Sequence, residues 1–204
     1  MSTYAGTGVA GSSGDSGLAI DAEINNPYGI ATDSEGNVYF ADQGSYSIRK
    51  IDYNSKIITT VVNSDESGNS MIINDLSIHD DIIYFLGSVA GTMKLMSFNL
   101  LDFDLTNLTT LSNDYFGICA KNDSIFLSTN TNHSINLFKI STGNLSLLAG
   151  TPGTSGGMDG TLNSSLFNAP AGMAVDQNGN IVIAEFHGGS IRLLNLTSNT
   201  VSTL

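Results

Sequence analysis

A chain of 204 residues with 41% hydrophobic content can bury one sizeable core. Its 22 glycines, 3 prolines and lack of Trp, beside many Ser, Thr and Asn, point away from helices and towards short strands joined by turns. The net charge of −12, with Arg49-Lys50 the only adjacent basic pair, excludes a phosphate-neutralising surface, so neither nucleic acid nor an anionic membrane is an expected partner.

The chain opens without a basic segment leading into an apolar one, and no apolar run approaches the length of a membrane span. Cys119 is the only cysteine, which rules out an internal disulfide framework. A reducing, cytoplasmic location is the expectation, unless the chain is a piece of a larger secreted protein. Six N-x-S/T sequons, at Asn107, Asn122, Asn132, Asn144, Asn163 and Asn195, are about what so Asn-, Ser- and Thr-rich a chain carries by chance.

In chain order, a glycine-rich loop at 5–24 precedes a unit at 25–61 that reads as four short strands. The first two, at 29–32 and 37–41, are joined by the turn Asp33-Ser34-Glu35-Gly36, where glycine supplies a positive φ. A third, Ser47–Ile51, is read with charges outward and apolar residues inward, and a β-branched fourth follows at 57–61. Fainter units at 72–106 and 113–148 keep the apolar pattern. Arg49, Lys94, Asn136 and Arg192 each lie seven residues beyond an anchor at Asp42, Gly87, Thr129 or Glu185, and Thr60, Leu105, Leu147 and Thr203 lie eighteen beyond. A second glycine-rich loop at 149–167 leads to a unit at 168–204 that closely matches the first. Repeats beginning 45, 42 and 56 residues apart signal a propeller or solenoid, and four antiparallel strands per copy make the blade of a propeller.

The run Asn25-Asn26-Pro27-Tyr28-Gly29-Ile30-Ala31-Thr32-Asp33, then Gly36-Asn37, Ala41-Asp42 and Ile48-Arg49, resembles the NHL-repeat family. Its second strong copy runs from Asn168-Ala169-Pro170 through Ala184-Glu185 to Ile191-Arg192. The resemblance is strong at 4–61 and 148–204 and weak at 72–147, where the Pro, the turn Gly-Asn and the acidic residue are missing. It implies an all-β propeller of four-stranded antiparallel blades, and a family whose rings resemble six-bladed ones of roughly 270 residues or more. Tyr4, Val61, Leu148 and Leu204 fall at one place in the repeat. Four blades therefore either close as a ring or form part of a larger propeller, and the second is the expectation. An open arc would expose apolar blade flanks, so self-association to complete a ring is a possible outcome.

Asp42 with Arg49, and Glu185 with Arg192, recur at equal spacing, as structural pairs at a surface would. Asp15 and Asp159 match one another within the two glycine-rich loops, and Asn25, Asn113 and Asn168 precede inner strands. With His187 on a tip loop these are the binding candidates, although Asn and Asp there also serve as turn caps. Asp33-Ser34-Glu35-Gly36-Asn37 and Asp176-Gln177-Asn178-Gly179-Asn180 lack the ligand spacing of a calcium loop and read as hairpin turns. The glycine-rich loops lack the Gly-Lys-Ser/Thr ending of a phosphate cradle, and His79, His133 and His187 show no metal spacing. No catalytic residue, metal or cofactor is assigned. The leading expectation is a binding or scaffold module for a protein or peptide. The alternatives are a calcium-dependent lactonase-like or lyase-like propeller with a metal at the channel mouth, and an incomplete propeller without separate activity.

Overall fold

A computed structural model describes residues 2–65 and 67–204. Each repeat folds as a four-stranded antiparallel sheet whose strands pair in chain order. Blade 1 comprises β1 (Pro27–Thr32), β2 (Val38–Asp42), β3 (Ser47–Ile51) and β4 (Ile58–Val62). Blade 2 comprises β5 (Ile72–His79), β6 (Ile82–Val89), β7 (Thr92–Asn99) and β8 (Leu105–Thr110). Blade 3 comprises β9 (Tyr115–Lys121), β10 (Ser124–Thr129), β11 (Ser134–Lys139) and β12 (Asn144–Ala149). After the short β13 (Gly160–Thr161), blade 4 comprises β14 (Pro170–Val175), β15 (Ile181–Glu185), β16 (Ile191–Asn195) and β17 (Thr200–Thr203).

The chain divides into two compact units, Met1–Thr110 and Leu111–Leu204, each holding two blades. In the first unit, β1 packs on β5, and Tyr39, Ala41 and Ile48 of blade 1 share a core with Met71, Ile73, Ile83 and Phe85. In the second, β14 packs on β9, and Cys119, Phe126 and Ile135 of blade 3 meet Ile181, Ile183 and Leu194 of blade 4. Alternation along each strand sends successive side chains to opposite faces of a blade. The face of blades 1 and 3 that packs on blades 2 and 4 is here called trailing, and the face of blades 2 and 4 that receives it leading.

The turn Asp33–Asn37 is a hairpin with Gly36 at φ +85°. The Asp33 carboxylate accepts the backbone N–H groups of Glu35 and Asn37 and the Asn37 side-chain amide. Asp176 repeats this with Asn178 and Asn180. A third copy escaped the sequence reading: Asp65 takes the N–H groups of Ser67 and Asn69 and the Asn69 amide.

Blade 2 departs from the spacing expected of it. The β6–β7 hairpin closes at Val89↔Thr92, two residues later than the equivalent turns, through Ala90 and Gly91, both at positive φ. Met96 therefore lies opposite Phe85, where blade 1 sets Arg49 opposite Phe40. Lys94 is not the counterpart of Arg49; it pairs with Asp65 at 3.8 Å. Met96 lies opposite Asn107, so Asn107, not Leu105, stands where Thr60 does, and the fourth strand runs on to Thr110, opposite Lys94, rather than ending at 106. The longer hairpin needs the longer outer strand to satisfy its backbone.

Candidate functional site

The two glycine-rich loops are tied down by the same device. In the first, Ser16 donates its N–H to the Ile58 carbonyl, and Ile58 donates to that of Gly17, so Gly17-Leu18 edges β4 through a single antiparallel bridge, Leu18↔Ile57. In the second, β13 pairs with β17 at Gly160↔Val201 and Thr161↔Thr200. Capping the outer edge in this way removes unpaired backbone groups.

Beneath each loop lies an arginine with no exposed side-chain surface, contrary to the expected outward charge and surface pairing. Arg49 donates through Nη1 to the Glu23 carbonyl (2.7 Å) and through Nη2 to the Ser13 carbonyl (3.2 Å) and to Asp15 (2.7 Å). Asp42, equally buried, lies 3.6 Å from it. Arg192 donates to the carbonyls of Leu166 (2.8 Å) and Met158 (3.1 Å), to Asp159 (2.8 Å) and to Glu185 (3.1 Å). The acids at the strand ends also hold the lead-in to the inner strands. Asp42 accepts the Asn25 N–H, and Glu185 accepts the Asn168 N–H, both at 2.7 Å. Glu185 further takes the Ser190 hydroxyl. Arginine suits this place because its rigid fork serves two carbonyls and two carboxylates at once, which a lysine ammonium does not.

The loop aspartates close the arrangement onto the outer strand. Asp15 accepts the Thr60 N–H at 2.8 Å, and Asp159 accepts the Thr203 hydroxyl at 2.9 Å. Burial pushes the Asp15 carboxyl up, but the hydrogen bonds from Arg49 and Thr60 together hold it below its ordinary value. Thr203 first, then Arg192, lowers that of Asp159 against a smaller effect of burial. These are carboxylates held ionised by fixed donors, unlike a general acid, whose proton must be retained near neutrality.

The binding candidates of the sequence thus divide by what they touch. Asp15 and Asp159 are half-exposed members of the arginine networks. Asn25 and Asn168 are anchored through their backbone at the start of inner strands, and the Asn25 carbonyl also takes the Gly44 N–H. Asn113 is exposed, and its neighbour Asp114 caps the next loop by accepting the N–H groups of Thr131 and Asn132. His187 is exposed on the β15–β16 loop, edge-on to the ring of Phe186 with centroids 4.9 Å apart. Phe186 is 70% exposed and was not singled out by the sequence; a Phe in an apolar-rich repeat reads as core until the loop position is known. Among the described residues, no three His, Cys, Asp or Glu side chains converge as a metal site requires, and no helix is long and apolar enough to cross a membrane.

The family model described as the teneurin NHL domain matches residues 8–82, spanning the first loop, blade 1 and the start of blade 2. NHL repeat-containing protein 2 of Bos taurus is 26% identical over 137 residues, covering 65% of this chain and 19% of that protein. The chain is an all-β propeller whose repeats are similar to those of the NHL-repeat family. Other NHL-repeat relatives include teneurin-3 of Mus musculus, 24% identical over 91% of this chain and 8% of its own length. The chain thus spans less than a fifth of the length of these relatives. Solved propellers share the fold alone. A streptogramin B lyase superposes with a TM-score of 0.63 at 16% identity, over 95% of this chain and 56% of its own. A protein from Bacteroides thetaiotaomicron gives 0.59 at 18%, over 99% and 63%. Within the chain, the two buried arginines set blades 1 and 4 apart from blades 2 and 3.

Proposed function

We propose that this NHL-type propeller is a non-catalytic binding module that takes a peptide segment of a protein partner on the β15–β16 loop of blade 4. The observation that carries the reading is the Phe186–His187 tip, an aromatic pair held edge-on with Phe186 largely in solvent. An exposed aromatic beside a polar ring gives apolar contact area at small entropic cost, the make-up of interface hot spots. The acidic side chains nearest the loops are committed to the arginine networks and to strand lead-ins, which supports binding over acid–base chemistry. The likeness to a streptogramin B lyase, at 16% identity, is one of fold.

Selection of displayed random peptides against the purified chain tests the reading. Binders should lose at least about tenfold in affinity against the double variant Phe186→Ala/His187→Ala, with the fold unchanged by circular dichroism. Binders indifferent to that change, or none at all, would overturn it. Titration with Ca²⁺ in a calorimeter addresses the enzymatic alternative: no heat is expected, because the acidic turns at Asp33, Asp65 and Asp176 are filled by their own N–H donors.

A further inference from the structure

We propose that the β7–β8 hairpin of blade 2 is a docking tip for a segment of a partner protein that sets lysine or arginine beside large apolar side chains. All the residues concerned lie in the first unit, and none belongs to the blade 4 loop.

The third and fourth strands of every blade are joined by the same tight turn. Asp52–Lys56, Asn99–Phe103, Lys139–Gly143 and Asn195–Asn199 form it in blades 1 to 4. In the first three the N–H of the last residue returns to the carbonyl of the first, at 3.0, 3.0 and 2.8 Å. The last residue is left-handed in all four, with φ of +59° at Lys56, +61° at Phe103, +68° at Gly143 and +55° at Asn199. Glycine and asparagine adopt that conformation readily, whereas a bulky aromatic does so at a cost. Two places earlier stand Asn54, Leu101, Ser141 and Thr197. Where the other blades carry polar or small residues at both positions, blade 2 carries Leu101 and Phe103.

The fold does not require this pair. Leu101 is 72% exposed and Phe103 71%. The Phe103 ring meets that of Phe98 at a tilt, with centroids 6.3 Å apart. Phe98 does not depend on that cover, because Phe138, its counterpart in blade 3, is buried with Gly143 at the turn. The backbone beneath the pair is fixed. Asn99 Oδ1 accepts the Leu101 N–H at 2.9 Å, and Asp102 accepts that of Asp104 at 3.1 Å. Leu100 donates to the Asp81 carbonyl of the neighbouring β5–β6 hairpin at 2.8 Å. Two large apolar side chains held out on an ordered turn offer contact area with little backbone freedom left to lose on binding.

Charge selects the occupant. Asp102 and Asp104 flank the pair, and the Leu100–Asp81 bond brings Asp80 and Asp81 beside it; all four are exposed. His79 lies 3.7 Å from Asp80. The lysines of this unit are engaged elsewhere: Lys50 over the Tyr39 ring, Lys56 over those of Tyr4 and Tyr53, and Lys94 with Asp65. Arg49 is buried. An apolar tip among carboxylates suits a segment with an apolar centre and cationic flanks. The same carboxylates repel an anionic membrane and a second copy of a chain whose net charge is −12.

Displayed random peptides selected on the chain and counter-selected on Leu101→Thr/Phe103→Asn test the proposal. That variant takes the residues of the blade 4 turn, so it should keep the wild-type circular dichroism and a urea midpoint at least as high. The surviving peptides should combine Lys or Arg with large apolar residues. They should bind the wild type at least about tenfold more tightly than the variant and weaken as salt rises. They should also be indifferent to Phe186→Ala/His187→Ala. No such peptides, or peptides without basic residues, would overturn the proposal. A lower urea midpoint for the variant would give the pair to the fold and overturn it as well. So would sedimentation with phosphatidylcholine vesicles, or self-association in light scattering, that the variant abolishes, since the tip would then serve a membrane or a second copy.

Discussion

Blades 1 and 4 set a buried arginine between the second and third strands, whereas blades 2 and 3 fill the same place without one. Blade 2 puts Met96 opposite Phe85, and blade 3 puts Asn136 opposite Leu127. Where Asp42 meets Ser47 in blade 1, blade 3 has Thr129 and Ser134, joined through their hydroxyls at 2.7 Å and buried. The sheet forms equally well either way, so the arginine is not needed to build a blade. What distinguishes blades 1 and 4 is the long loop that precedes each. That loop presents carbonyls and an aspartate to the guanidinium, and the arginine acts as its clamp.

Breaking the clamp is the sharpest trial of this contrast. Arg49→Met or Arg192→Met leaves Asp42 or Glu185 buried without its cation and should cost about 3–5 kcal/mol in urea unfolding. Hydrogen exchange should quicken at Ala19 and Ile58 in the first variant, and at Leu162 and Val201 in the second, each loop loosening alone. A matching loss of protection in blades 2 and 3 would show the arginine to be cement for the fold.

The inner-strand glycines refine the comparison. Gly29→Ala forces a methyl against the β5 backbone and should cost about 1–3 kcal/mol, while Gly172→Ala should stay within about 0.5 kcal/mol. In blade 3, Thr129→Val removes the buried hydroxyl that meets the hydroxyl, carbonyl and N–H of Ser134 and should cost about 1–3 kcal/mol, below the arginine variants.

The smallest effect is expected from pH. The carboxyls of Asp15, Asp33, Asp65, Asp159 and Asp176 are all held below their ordinary value of 3.8 in the folded chain. A depressed folded value stabilises at pH above the unfolded one and is lost as pH falls through the folded one. The melting temperature should therefore hold from neutrality to near pH 4 and decline below it. Asp15→Asn/Asp159→Asn should flatten that decline, and an unchanged acid slope would assign it to the hairpin turns instead.

Much of this was legible from residue order. Two closely matching repeats, a period-two apolar pattern and Asp-x-x-Gly-Asn turns determined strands, hairpins and blades, because these depend on local backbone geometry and on which side chains can share a face. The pairing of Asp42 with Arg49 and of Glu185 with Arg192 was legible for the same reason, since neighbouring strands of one hairpin bring them together. Burial of those arginines was not, because it depends on a loop some thirty residues upstream folding back with its carbonyls. Nor was the shift in blade 2, where two extra residues in one hairpin displace Lys94 while leaving the apolar rhythm intact. The exposure of Phe186 was decided only by the tertiary structure: composition makes it a core candidate, and its place on the β15–β16 loop puts it in water.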